Sequence, residues 1–90
     1  KLEIIRNDAF SNCKSLTDVK LPSGVKIIEK GTFAECTSLE NLQLSNNTTE
    51  IEETAFNNCI SLKSVYLPDS VKTIGSAAFY NCYSANVRRN

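Results

Sequence analysis

Residues 13–36 read CKSLTDVKLPSGVKIIEKGTFAEC, and residues 59–82 read CISLKSVYLPDSVKTIGSAAFYNC. Superposed, both carry Cys at each end, Ser-Leu after the first Cys, then Val-x-Leu-Pro, a Val, an Ile and a Phe. Working outward, the chain's four cysteines, Cys13, Cys36, Cys59 and Cys82, fall 23 residues apart, and so do its four phenylalanines, Phe10, Phe33, Phe56 and Phe79. The same register holds Ser15, Ser38, Ser61 and Ser84, then Leu16, Leu39 and Leu62, then Val19, Leu42 and Val65, then Leu21, Leu44 and Leu67. Ile5, Ile28, Ile51 and Ile74 complete it, so the repeat accounts for nearly all of the 90 residues.

One unit dictates its own shape. Val19, Lys20 and Leu21 alternate with period two, so a short strand buries Val19 and Leu21 and turns Lys20 outward. Pro22 lacks a backbone donor and, with Ser23 and Gly24, turns the chain out of the strand, while Val25 and Ile28 return to the interior. Phe33 and Cys36, three residues apart, fit one buried helical or 3₁₀ turn. A period between 20 and 29 that contains Leu-x-x-Leu-x-Leu is the signature of leucine-rich repeats, in which each unit adds one turn of a solenoid. The expected fold is a right-handed leucine-rich repeat solenoid of about four turns. A continuous parallel sheet should line one face, with Phe-bearing helical or 3₁₀ turns opposite and the phenylalanines stacked in one column. A single turn buries too little apolar surface to offset its backbone entropy, so stability must come from interfaces between turns.

Cys13-Lys14-Ser15-Leu16 through Leu21-Pro22, Val25, Ile28, Phe33 and Cys36 resembles the unit of the BspA-like, treponemal-type leucine-rich repeats, and so does Cys59 through Leu67-Pro68, Val71, Ile74, Ala78-Phe79 and Cys82. The resemblance covers essentially the whole chain. It implies a surface or secreted, hence extracellular, repeat protein engaged in adhesion to host or matrix proteins or to other cells. The second unit departs at Ser45, where the pattern has Pro, and at Thr48, where it has Val. Gly24, Asn47 and Ser70 stand where other leucine-rich repeats keep Asn.

The expected organisation is one domain, 1–90, with a partial unit at 1–13, full units at 14–36, 37–59 and 60–82, and a fading unit at 83–90. In that last unit a strict 23-residue step puts Ala85, Arg88 and Asn90 in the strand columns, as a polar cap would. At the other end Leu2, Ile5 and Phe10 lack a preceding turn. The chain is therefore expected to be a piece of a longer array, with self-association through exposed repeat ends when isolated.

Composition narrows the function. Ten Lys and Arg balance ten Asp and Glu, so the basic excess needed for nucleic acid is missing, and no apolar run suits membrane insertion. The chain has no histidine, the commonest general base and metal ligand near neutral pH, and enzyme activity is not expected. Neither cofactor nor metal is expected: no Cys-x-x-Cys pair occurs, and a Cys–His nucleophile is impossible. The cysteines read as reduced, buried small residues, because equivalent side chains in stacked turns run parallel and oppose the disulfide dihedral. Asn46 and Asn47 open overlapping Asn-x-Thr sequons, acceptors for glycosylation in a secreted eukaryotic chain. Glu50, Glu52 and Glu53 lack the alternating oxygen loop of a calcium site and read as a solvated edge. Asn12, Asn58 and Asn81 occupy one column, interrupted by Glu35, and suit a structural hydrogen-bond ladder.

The outward strand positions remain as functional candidates: Thr17, Asp18 and Lys20, then Glu40, Asn41 and Gln43, then Lys63, Ser64 and Tyr66. Among these, Lys20, Gln43, Lys63 and Tyr66 are the expected ligand-binding residues, with Tyr66 as the aromatic anchor. Two function classes stay open. One is a recognition module whose sheet face binds a protein ligand, such as a host or matrix protein; the other is a structural spacer or homotypic assembly module.

Overall fold

The alternation of Val19, Lys20 and Leu21 becomes strand β1 (Asp18–Lys20), and its counterparts one and two units later become β3 (Asn41–Gln43) and β5 (Ser64–Leu67). The computed structural model describes residues 9–83 and 85–89. β1 and β3 pair in parallel, Asp18 with Asn41, Val19 with Leu42 and Lys20 with Gln43, which is the 23-residue register. A last strand, β7 (Asn86–Arg89), pairs in parallel with β5.

That last pairing corrects the expected register. Val65 lies opposite Val87, not Arg88, and Tyr66 and Leu67 pair with Arg88 and Arg89, a step of 22. One residue of slip exchanges the two faces of a strand, and here it sets Val87, which stays exposed, rather than Arg88 opposite the buried Val65. Ala85 keeps the 23-residue step, its N–H reaching Cys82 C=O at 3.1 Å as Leu62 N–H reaches Cys59 C=O at 3.2 Å. The missing residue is therefore absorbed between Ala85 and the strand.

Two further features differ from expectation. The sheet is not continuous: β1–β3 and β5–β7 form separate ladders, linked where Lys63 N–H donates to Glu40 C=O at 3.0 Å. A second parallel ladder runs through β2 (Ile27–Ile28), β4 (Glu50–Ile51) and β6 (Thr73–Ile74), where only a return to the interior was foreseen. β-Branched residues at these positions suit a half-buried strand, and Ile28 and Ile51 are buried while Ile74, in the last of the three strands, stays exposed.

Among the described residues no helix forms, and the Phe-bearing turns are neither helical nor 3₁₀. Backbone donors alternate instead. Thr32, Ala34 and Cys36 donate back to Glu29, Gly31 and Phe33, whereas Gly31, Phe33 and Glu35 donate to Glu53, Ala55 and Asn57 of the next turn. The cause is a left-handed backbone at two columns. Gly31, Thr54 and Ala77 have φ of 68°, 56° and 58°, and Asn12, Glu35, Asn58 and Asn81 have φ of 60–64°. Each such residue breaks the run of right-handed dihedrals that a helix needs.

The phenylalanines stack as expected. Phe10, Phe33, Phe56 and Phe79 have neighbouring ring centroids 5.3 Å apart and planes within 5° of parallel. Around them the core gathers Val25, Ile28, Cys36, Leu39, Leu42, Ile51, Cys59, Leu62, Val65 and Val71, drawn from every side of the repeat. Leu2 and Ile5, expected to open the apolar N-terminal layer, lie outside the described residues.

Candidate functional site

The two ladders and the Phe turns fix which side chains are spent on the fold. Cys36, Cys59 and Cys82 each direct Sγ to a carbonyl of the preceding turn, that of Phe10, Phe33 and Phe56, at 3.1 Å in all three cases. The column is thus a ladder of thiol donors, with Cys36 and Cys59 buried as expected and Cys13 and Cys82 only half-buried. Burial pushes the Cys36 thiol above its ordinary pKa, and contact with the Cys82 thiol together with burial does the same at Cys59. All four cysteines are free.

The departures of the second unit also resolve into hydrogen bonds. Ser45, in place of Pro, accepts the Asn47 N–H on its Oγ at 2.9 Å and so holds the turn that a proline ring would have set. Thr48, in place of Val, is fully buried, with its hydroxyl facing the Val25 carbonyl at 3.4 Å. In the Asn column, Asn81 Nδ2 donates to Asn58 Oδ1 at 2.7 Å, while the Asn12 amide turns to Ser11 at 3.5 Å. The ladder is therefore partial, and the left-handed φ common to the whole column is what asparagine suits there. Of the sequon asparagines, Asn47 donates Nδ2 to Ser23 C=O at 2.9 Å, and Asn46 is exposed.

On the strand side, the candidate residues separate into engaged and unengaged groups. Lys20 and Gln43 are direct neighbours in the β1–β3 register, and both are exposed. Tyr66 holds the same position in β5 and is 58% exposed. Lys63, expected beside Tyr66, instead reaches back to Glu40 with a 3.3 Å ion pair. Asp18 accepts Asn41 Nδ2 at 2.6 Å. Both acids facing this side are thus already matched by a neighbour 23 residues on, a pairing that the opposite charges of Glu40 and Lys63 made readable in advance.

Where β1 and β3 end, Lys20, Pro22, Ser23, Gln43, Asn46 and Asn47 border a cleft of about 490 Å³. Sequence reasoning singled out Lys20, Gln43, Asn46 and Asn47 for separate reasons, and the structure brings them together. A second cleft, of about 360 Å³, lies over the β4–β6 ladder between Lys30, Glu50, Glu52, Glu53 and Gly75. There Lys30 is neutralised by Glu53 at 3.5 Å and its N–H donates to Glu52 Oε1 at 3.1 Å. Among the described residues, no cluster of three or more acids, cysteines or histidines is placed to hold a metal ion, and no helix is long and apolar enough to cross a membrane.

Parallel strands recurring once per unit, an apolar column inside and outward polar strand positions define a leucine-rich repeat. The profile described as the BspA type leucine rich repeat region (6 copies) matches residues 1–88, and the chain belongs to that family. Three solved bacterial structures are similar. A leucine rich cell surface protein from Faecalibacterium prausnitzii is 34% identical with a TM-score of 0.85 over 90% of this chain and 21% of its own. A leucine rich repeat protein of T. pallidum is 33% identical, with a TM-score of 0.74 over 93% of this chain and 50% of its own. A leucine-rich repeat protein from Bacteroides capillosus is 32% identical, with a TM-score of 0.76 over 93% of this chain and 60% of its own. The chain thus spans less than two thirds of each. No curated protein matches the sequence.

Proposed function

We propose that this chain is a protein-recognition segment of a surface or secreted repeat protein, binding its partner on the strand side through Lys20, Gln43, Lys63 and Tyr66. The observation that carries this reading is Tyr66, a large aromatic 58% exposed on a rigid parallel ladder. Aromatic anchors at the centre of polar surroundings dominate many interfaces. Family membership supports the reading, as leucine-rich repeats commonly serve as protein-interaction modules, and the F. prausnitzii neighbour is described as a cell surface protein. The partner is a host or matrix protein engaged for adhesion, and the reading includes no catalysis, no nucleic acid and no membrane insertion. The scaffold that presents this face is a right-handed solenoid of about four turns. It forms a single domain over 1–90, with full units at 14–36, 37–59 and 60–82.

A standard interface uses roughly 20 to 30 residues on each side. A few outward residues per unit fall short of that, so affinity grows with the number of repeats. The test is binding of matrix proteins to arrays of increasing length, each with Tyr66→Ala and Lys63→Ala versions. Stronger binding with length, lost on Tyr66→Ala, supports recognition. Binding indifferent to both changes, with concentration-dependent association in light scattering, favours homotypic assembly through the repeat ends.

A further inference from the structure

Three side chains at the ends of β1 and β3 have donors that the fold leaves unspent. Lys20 forms no ion pair among the described residues, and neither the Gln43 nor the Asn46 side-chain amide is hydrogen-bonded there. All three border the 490 Å³ cleft, whose rim contains no Asp or Glu. Of the acids nearest it, Asp18 is committed to Asn41 and Glu40 to Lys63, while Asp69, one repeat on from Asn46, stands outside the cleft lining. The lining of this hollow thus carries one cation, several amide donors and no acid. The cleft over β4 and β6 is its internal control, since its lysine is already matched by Glu53.

We infer that the cleft between the ends of β1 and β3 receives a carboxylate of an extended acidic segment of the partner protein, held by Lys20 with the Gln43 and Asn46 amides. A cation flanked by amide donors complements a carboxylate, and Gln43 and Asn46 also present acceptors to a partner's backbone N–H groups. A hollow of this size takes a few residues of chain. Tyr66 continues the Lys20–Gln43 column, so a segment leaving the cleft along the strand side meets an aromatic surface. This inference rests on the strand side being the binding face.

The probe is a short acetylated peptide alternating glutamate and leucine, with its glutamine counterpart and inorganic phosphate as comparators, titrated into the full ¹⁵N-labelled chain. The glutamate peptide is expected to shift the side-chain amide resonances of Gln43 and Asn46, more weakly as salt is raised. Lys20→Gln should weaken binding by up to about fivefold, the range of an exposed ion pair. Lys20→Glu should abolish it, whereas Lys26→Glu, the same charge change on the β2 side, should not. Equal shifts with the glutamine peptide, equal shifts with phosphate, or indifference to Lys20→Glu would overturn the inference. The two readings fail separately: a partner lost on Tyr66→Ala but unaffected by Lys20→Glu keeps the strand face and discards the acidic segment.

Discussion

Along the Phe-bearing side, Phe10, Phe33 and Phe56 donate to Thr32, Ala55 and Ala78 at 2.8 Å each, and the rings above them keep one spacing throughout. Along the strand side the same repeat is uneven. β1 pairs with β3 and β5 with β7, β3 and β5 are not laddered, and the last register shifts by one residue. The difference follows from what each side must satisfy. On the Phe side, buried rings and inward thiols leave one workable stacking distance, and any displacement would leave buried backbone groups unpaired. On the strand side, alternate residues face out, where sequence can vary without opening a cavity.

The comparison breaks first, and by the largest amount, at the rings. Phe56→Ala should cost about 3–5 kcal/mol, as a fully buried aromatic lost from a close-packed column does. Urea unfolding followed by circular dichroism measures it, and a loss under about 1 kcal/mol would mean that the column does not carry the stack. The next effect is at Gly75, where an added Cβ would lie 2.3 Å from the Glu53 nitrogen and 2.7 Å from the Glu52 carbonyl carbon. Backbone cannot yield as a side chain can, so Gly75→Ala should cost roughly 1–3 kcal/mol. Hydrogen exchange should place the loosening at the Glu52–Glu53 junction.

The thiol ladder offers a pH test. In the folded chain, Cys36 and Cys59 hold their protons above the ordinary 9.0, while the unfolded chain releases them near that value. Their contribution is therefore complete below the unfolded pKa and is lost as pH rises beyond it toward the folded values. Stability should therefore fall above about pH 9 through Cys36, whereas the rise at Cys59 is opposed by its hydrogen-bonded partner Cys82, whose thiol is shifted down. Comparing denaturation midpoints of the parent with a Cys36→Val variant checks this, because the variant should show a flatter decline.

Smaller still is the gain from relieving the left-handed columns. Thr54, β-branched at φ 56°, is poorly suited to that region. Thr54→Gly should stabilise by about 0.5–1 kcal/mol, the left-handed penalty less glycine's added chain entropy. A loss measured by thermal unfolding would assign a larger role to the Thr54 hydroxyl, which donates to Glu53 C=O at 2.6 Å. The smallest change belongs to the strand side: Tyr66→Ala and Lys63→Ala should each move stability by no more than about 0.5 kcal/mol. If either destabilises as much as Phe56→Ala, the division between a structural side and a presenting side fails.

The columns of Phe, Cys and Leu were legible because burial imposes a residue type at a fixed interval. Gly31, Thr54 and Ala77 share a backbone conformation and no side-chain property, so their column left no trace in composition. The second ladder was hidden for another reason: two residues per strand are too few for alternation to register. The slip at β7 escaped the pattern, because a strict 23-residue count carries Arg88 opposite Val65, and Val87, which takes that place, stays exposed. Exposure of Tyr66, Lys20 and Gln43 followed directly from alternation. The cleft did not, because it depends on the Ser45 turn bringing Asn46 and Asn47 beside the ends of β1 and β3.

The left-handed columns reach beyond stability into chirality. At position 77 the backbone has φ of 58°, the dihedral that the mirror-image amino acid prefers. A chain assembled by chemical synthesis with D-alanine at position 77 keeps every atom count and loses the strain. The same inversion at Ala78, one residue on and buried at 3% exposure, falls where φ is not positive and so works against the backbone. Handedness in this repeat is thus specified residue by residue, and enantiomer exchange reads it out without changing the side chain.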